Sequence, residues 1–229
     1  PFPEKYPLLQ ETLSQASTVV VHSQLAEQLV RKSNYPRAVY RVPLIDYQQS
    51  VSFGIDLVEN KLLKQLHVQK ASNTVFVIGI FGFGGPTKRS KSIFKALSEL
   101  SNETKSKLKL LIIGTDNYNA DIEGMGLSDT VVCTGYINTT DYDQGLALCD
   151  LIINLRYPSM GESSAVQIQA MSAQKATIVS NHGWFSELPD DTVHKISVEC
   201  SEVEELKLAI VKFIANNNYR FKMARQAKR

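Results

Sequence analysis

The chain has 229 residues, 43% of them hydrophobic, and 25 Lys and Arg against 23 Asp and Glu for a formal net charge of +2. That length supports a buried core in one or two domains, and the mild, dispersed charge gives no ground for a nucleic-acid partner. No apolar run reaches the roughly 18 residues of a membrane span, and the opening Pro1-Phe2-Pro3-Glu4-Lys5 lacks the basic-then-apolar order of a signal peptide.

In chain order, residues 17–22 read as a strand, 23–32 as a helix and 37–42 as a second strand, after which Pro43 and the polar stretch to Ser52 read as a linker. A helix is expected over 54–67, with Leu57, Leu62, Leu63 and Leu66 as its apolar positions. Strand 74–81, helix 88–100, strand 107–114 and an irregular helical piece near 117–127 follow, then strand 130–134, helix 140–148 and strand 150–155. Next come helix 163–173, strand 176–180, a short helical turn near 183–187 and a helix from 202 to about 214, opened by a capping box of Ser201 and Glu204. The tail 216–229 reads as a surface helix with snorkelling basic residues, contact with an anionic membrane surface being the alternative. "VFVIGIF", "LKLLIIG" and "DLIINL" are too apolar for a sheet with one wet face. They predict an α/β fold, a Rossmann-like parallel sheet with helices on both faces. Cys133, Cys149 and Cys200 show no metal spacing and read as reduced core residues of a cytosolic protein.

In such a sheet ligands bind beyond the carboxyl ends of the strands. After the first strand of the main block comes "FGFGGPTKRSK": Gly82, Gly84 and Gly85 admit close backbone approach, and Lys88 and Arg89 open a helix whose free N–H groups favour an anion. This is a phosphate site in outline, although the same composition also makes an ordinary turn. The Walker A pattern is absent, and the dinucleotide fingerprint lacks both its third glycine, near Thr87, and its acid, the nearest, Asp116, coming too late. Gly114 makes a second small-residue turn, where Thr115 and Asp116 either contact a ligand or cap the next segment. Gly135, Tyr136 and Ile137 offer a flat apolar surface with free backbone groups, which suits a nucleobase, or else belong to the core. Asp141 and Asp143 invite a metal reading, but with Thr139 or Thr140 as N-cap both lie in a first helical turn, where the dipole alone accounts for them.

The loop "RYPSMGESS" leads into a helix whose first N–H groups, around Ser163, Ser164 and Ala165, suit a diphosphate together with the two serine hydroxyls. A carboxylate there would repel phosphate, so Glu162 makes sense turned toward sugar hydroxyls. Gln169, farther along the helix, is placed to reach a ribose. The plain alternative is that Glu162 caps the helix and Gln169 is solvated.

From "LRYPSMGESSAVQIQAMSAQKATIVSNHGWFSELPDD", with "FGFGGPTKR", "IIGTD" and "TGYI" in the right order, residues 74–215 resemble the donor-binding region of family 4 glycosyltransferases of the GT-B fold. The resemblance implies transfer of a sugar, glucose on UDP by family frequency, with retention and without metal or cofactor, to a polysaccharide or glycolipid acceptor. It implies that Lys88 and Arg89 neutralise the donor diphosphate, that Tyr136 and Ile137 frame the base, and that Glu162 contacts the sugar with help from the backbone of Gly161 to Ala165. The family commonly has two glutamates seven residues apart in their spacer; here six residues separate Glu162 from Gln169, which replaces the second acid. Gln174 and Ala176 stand where the family usually has Gly and Pro. Residues 1–52 are then the end of an amino-terminal acceptor domain with its linker and 53–229 the donor domain, in a fragment of a longer cytoplasmic protein that works in solution or at the inner face of a membrane. A nucleotide-sugar epimerase or dehydrogenase would need Tyr-x-x-x-Lys, and no Tyr has Lys four positions later. A non-catalytic nucleotide-sugar binding module stays open.

Overall fold

The computed structural model describes residues 7–45, 58–72, 75–115, 117–159 and 161–227. The first segment comprises α1 (Pro7–Gln15), β1 (Val19–Val21), α2 (Gln24–Lys32) and β2 (Val39–Arg41). β1 and β2 pair in parallel, with Val19 opposite Val39. Leu13, Val21 and Val30 form a small core between these elements. Both strands are shorter than the apolar runs that announced them, and α1 has no counterpart among the expected elements.

The rest builds one parallel sheet: α3 (Lys61–Ala71), β3 (Phe76–Phe81), α4 (Ser90–Ser98), α5 (Asn102–Ser106), β4 (Leu108–Ile113), α6 (Asn119–Gly124), β5 (Val131–Gly135), α7 (Thr139–Leu148), β6 (Leu151–Asn154), α8 (Ala165–Ser172), β7 (Ala176–Ser180), β8 (His194–Ile196), α9 (Glu202–Ala215) and α10 (Asn217–Ala227). The strand order is β5-β4-β3-β6-β7-β8. Successive strand residues point to opposite faces, and both faces are buried. Ile78, Ile80, Leu110, Ile112, Ile153 and Ile178 pack with Phe94 of α4, Ile122 of α6 and Leu206, Ile210 and Phe213 of α9. Val77, Phe81, Leu111, Ile113 and Ile152 pack with Leu63 and Leu66 of α3, Leu146 of α7 and Ala170 of α8. Each such side chain contributes about 1.5–3 kcal/mol by leaving water, which is why the runs carry no polar alternation. The Rossmann-like α/β class expected from them is the one found.

Several local expectations need correction. α3 starts at Lys61 because the Asn60 side chain accepts from the N–H groups of Leu62 and Leu63; residues 46–57, which hold most of the expected linker and the start of the expected helix, lie outside the described residues. The helix expected from Lys88 is instead a 3₁₀ turn, Pro86–Lys88, then Arg89 in the left-handed region (φ 58°), then α4 from Ser90. α7 is capped by Asn138, which accepts from the Asp141 N–H at 2.8 Å, and not by a threonine. The Ser201 side chain makes no capping bond to the backbone; it donates to Glu205, whose other oxygen accepts the Ser197 N–H. α10 lies at the surface on one face only: Asn217, Asn218, Phe221, Lys222 and Arg225 are exposed, whereas Arg220, Met223, Ala224 and Ala227 are buried, with the Arg220 guanidinium 4.9 Å from the Phe76 ring centre. Cys149 is a core residue whose thiol burial pushes up to about 12, but Cys133 on edge strand β5 and Cys200 are exposed.

Candidate functional site

β3 pairs with β4 on one side and β6 on the other, so the loops after β3 and β6 diverge and leave a crevice at their carboxyl ends, the ligand position of a doubly wound sheet. Tyr157 N–H donates to Thr87 O at 2.9 Å, tying these two loops together across it.

On the β3 side, Gly82 (φ 90°) and Gly85 (φ 129°) adopt backbone that only glycine holds without strain. Gly84 lies half-buried between them. A Cβ on Gly82 would stand 3.6 Å from Lys88 Nζ and 3.7 Å from Val166 in the first turn of α8, so these three residues meet. Lys88 Nζ donates to Phe81 O at 3.3 Å. Burial first, then Arg156, push the Lys88 ammonium down to about 8, with Glu162 opposing. Arg89 does not join it. Its left-handed backbone sends the guanidinium to α9, where Nε lies 3.0 and 3.1 Å from the two oxygens of buried Glu202. Gly114 sits directly against Gly82: a Cβ there would stand 2.1 Å from Gly82 O. Thr115 is exposed, and Asp116 lies outside the described residues.

On the β6 side, Arg156 N–H donates to the buried Ser180 hydroxyl at 2.9 Å, which fixes the start of the loop. Arg156 Nε lies 3.6 Å from Glu162 Oε1, and Ser159 Oγ donates to Glu162 Oε2 at 3.1 Å. Gly161 takes φ 94°. Ser164 is the N-cap of α8, accepting from Gln167 N–H and receiving a bond from Asn154 Nδ2 at 3.0 Å. Among the described residues, the buried side-chain polar atoms without a hydrogen-bond partner are Arg156 Nε and Ser163 Oγ. Both stand in this one loop. Buried donors without acceptors are uncommon in native proteins and point to something outside the chain that completes them.

Between the ends of β3, β4 and β5 lies an apolar pocket of about 120 Å³ lined by Gly82, Phe83, Gly114, Tyr136, Ile137 and Tyr142, among others. Phe83 and Tyr136 present rings that are 73% and 81% exposed. Ile137 is half-buried against the α3–α7 side of the core. Tyr142 OH donates to Gln169 Oε1 at 2.7 Å, so the Gln169 side chain is already oriented by α7. Asp141 accepts the N–H groups of Glu59 and Asn60 at 2.9 and 3.0 Å, anchoring the approach to α3. Among the described residues no group of three or more His, Cys, Asp or Glu is arranged to hold a metal.

α2 closes the site from the front. Ser23 Oγ donates to Gly161 O at 2.9 Å and accepts from Ala26 N–H. The Glu187 carboxylate accepts the N–H groups of Gln24 and Leu25 at 2.8 and 2.7 Å, so the positive end of α2 is met by a protein carboxylate. Ser23→Ala is expected to lower stability by about 1 kcal/mol through the lost cap, read as a lower midpoint in urea unfolding.

Gly82 thus meets Lys88 and the first turn of α8, which Ala165 opens; Gly82, Gly114, Tyr136 and Ile137 line one apolar pocket; Gly161, Glu162, Ser163 and Ser164 stand in the loop before α8; and Arg89 is on another partner. Sequence reasoning missed Arg156, Phe83, Ser23 and Glu187. For Phe83 the signal was present, an aromatic set among glycines, and for Arg156 a carboxylate six positions on; Ser23 and Glu187 leave no local mark, since they meet groups 138 and 163 positions away.

Residues 61–229 match the sequence model of the family Glycosyl transferases group 1. An uncharacterized glycosyltransferase of Methanocaldococcus jannaschii is 30% identical over 142 residues, 58% of this chain and 34% of that protein. Sucrose-phosphate synthase from Thermosynechococcus elongatus superposes with a TM-score of 0.76 at 18% identity, covering 98% of this chain and 56% of that one. WaaG, a glycosyltransferase involved in lipopolysaccharide biosynthesis, gives 0.73 at 16%, over 91% and 56%. Anabaena HepE in complex with UDP-glucose gives 0.69 at 20%, over 93% and 58%. At these identities the superpositions establish the fold. The chain spans about a third of the curated relative's length and 56–58% of these structures. Among the described residues no helix is long and apolar enough to cross a membrane.

Proposed function

The chain belongs to the group 1 glycosyl transferases, and from that premise we propose that it transfers a hexosyl group from a nucleoside-diphosphate sugar, UDP-glucose first, to a glycan or lipid-linked glycan acceptor with retention at the anomeric carbon. The observation that carries this reading is the half-buried Lys88 ammonium, which meets Gly82 and the first turn of α8, beside a Ser163 hydroxyl that lacks a partner among the described residues. An anion completes both groups. The HepE complex with UDP-glucose supports the choice of donor, and the role of WaaG in lipopolysaccharide biosynthesis supports the class of acceptor.

In this reading the base lies between Phe83 and Tyr136 on the apolar pocket, with Ile137 at its edge, and Gln169 faces the ribose. The diphosphate lies across Gly82 and Gly84 against Lys88, the Ser163 and Ser164 hydroxyls and the amides from Gly161 to Ala165. Glu162 accepts from sugar hydroxyls. The bond between the anomeric carbon and the diphosphate oxygen breaks, the acceptor oxygen bonds to that carbon and loses its proton, and the charge left on the nucleoside diphosphate is stabilised by Lys88 and the α8 dipole. The reading needs no metal, because those groups neutralise the leaving diphosphate and the Asp141 oxygens are engaged by backbone amides. Residues 1–52 form the end of the acceptor-side domain with its linker, and 53–229 the donor domain.

Calorimetric titration of the chain with UDP, UDP-glucose, GDP-mannose and NAD, without added metal, tests this. Saturable binding of the two uridine ligands without a response to NAD is expected; binding of NAD alone, or of none of the four, overturns it. Glu162→Gln is expected to weaken UDP-glucose by about tenfold, the scale of a charge-assisted hydrogen bond, without weakening UDP. Equal losses for the two ligands would remove Glu162 from the sugar.

A further inference from the structure

We propose that Arg156 is the second cation of the diphosphate site, and that Glu162 exchanges its guanidinium for donor-sugar hydroxyls as the donor binds. The inference rests on the donor-binding reading above and assigns to Arg156 the task that the family resemblance implies for Arg89.

Arg89 is unavailable for it. Its guanidinium meets Glu202 through Nε and Nη2, the latter at 2.8 Å, and the Glu202 side chain is only 3% exposed. Turning Arg89 toward the crevice would leave a buried carboxylate without its counter-charge, a costly arrangement. Arg156 is in the opposite condition. Its backbone is pinned by Ser180, and its Nε is buried without a hydrogen bond. Its carboxylate neighbour, at 3.6 Å, is a charge partner beyond hydrogen-bond range.

Arg156 and Lys88 approach from the two sides of the switch point, one from the end of β6 and one from the turn after β3. Holding like charges together disfavours both, and a diphosphate between them relieves the repulsion. The planar guanidinium also offers a fork that matches two phosphate oxygens. Glu162 is the natural group to give way. One of its oxygens faces Arg156 and the other accepts from Ser159 Oγ, so a phosphate arriving at Arg156 competes directly with it. The displaced carboxylate stays beside the position of the sugar that the same phosphate carries.

The charged groups facing Lys88 are Arg156 and Glu162 on the β6–α8 loop; its chain neighbour Arg89 is turned to Glu202 on α9. Lys88 must be protonated to hold a diphosphate. Affinity is therefore fully present below about pH 8 and falls as pH rises through that value, by about tenfold per unit at the steepest. Removing Arg156 removes one of the two causes that hold the Lys88 ammonium down, so the fall moves to higher pH.

UDP titrations from pH 6.5 to 9.5 on the native chain, Arg156→Gln, Arg156→Lys and Glu162→Gln read this out. Arg156→Gln is expected to weaken UDP by about tenfold or more at pH 7 and to shift the loss of affinity to higher pH. Arg156→Lys keeps the charge without the fork, and is expected to weaken UDP less and leave the midpoint in place. Glu162→Gln, with its competitor for the guanidinium gone, is expected to bind UDP at least as tightly as the native chain while losing UDP-glucose. Native-like UDP binding by Arg156→Gln, or a loss without a pH shift, overturns the role of Arg156. Weakened UDP binding by Glu162→Gln overturns the exchange. In either case, loss of UDP binding in Lys88→Ala would leave the donor site itself standing, whereas a native chain silent to UDP overturns that reading and this one together.

Discussion

Lys88→Met is expected to weaken UDP and UDP-glucose together and to slow transfer by about a hundredfold or more, without lowering the melting temperature. The rate follows from the leaving group: a preorganised donor lost from a developing anion costs about 2.7–4 kcal/mol, and Lys88 is the cation at the centre of the crevice. The stability follows from the same position. The ammonium is half-buried, pushed down by burial and by Arg156, and donates a hydrogen bond to Phe81 O at a long 3.3 Å. Exchanging it for an apolar stem of similar length removes a repulsion and a desolvation cost, the usual relation between a binding site and the fold that carries it. Transfer would be measured with donor and acceptor present, and melting on the chain alone. A melting temperature lowered along with the activity would show that Lys88 holds the structure instead of the ligand.

Gly114→Ala is expected to destabilise the chain by about 3 kcal/mol and to abolish the apolar pocket at the ends of β3, β4 and β5. The added Cβ would stand 2.1 Å from Gly82 O and 3.0 Å from Gly82 C. Both atoms are backbone, in a turn held by the Gly82 N–H bond to Ile113 O at 2.9 Å, so no side chain can rotate away. Overpacking of this kind costs about 1–3 kcal/mol even where side chains absorb it. The pocket suffers with the fold, because Gly82 and Gly114 are both part of its wall. Gly124, at the end of α6, is the control: nothing lies within 4 Å of its Cβ position, and alanine there is expected to be neutral or stabilising. Urea unfolding of both variants, with UDP titration, separates them; equal midpoints would show that the turns after β3 and β4 move apart freely.

What the sequence disclosed was set by interactions near in the chain or repeated along it. The runs that became β3, β4 and β6 needed no partner to be recognised, since burial on both faces removes the polar alternation of a half-wet strand. Glu162, Ser163 and Ser164 were legible because a helix start and a carboxylate are defined within a few residues. Arg89 was misjudged because its left-handed backbone and its partner Glu202, 113 positions away, leave no local mark. Arg156 was passed over as the end of a strand although its charge partner Glu162 lies only six positions on, because the loop between them, and not a helical or strand period, brings the two together. α10 looked solvated because its charges were visible and its buried stripe of Arg220, Met223, Ala224 and Ala227 was diluted among them. β8, three residues long, was too short to show a pattern.

The contact of α2 with the loop before α8 makes a small anatomical point with a practical side. Gly161 has Ala26 and Leu29 at 3.5–3.6 Å from where its side chain would be, its carbonyl receives Ser23, and Glu187 meets the first amides of the same helix. Residues 23–29 are thus a wall of the crevice, although they precede the region 61–229 that matches the family. A chain trimmed to that region would leave the Glu187 carboxylate and the Gly161 carbonyl facing solvent, and the backbone that positions Glu162 would lose its support. An affinity measured on such a trimmed chain would describe a different cavity.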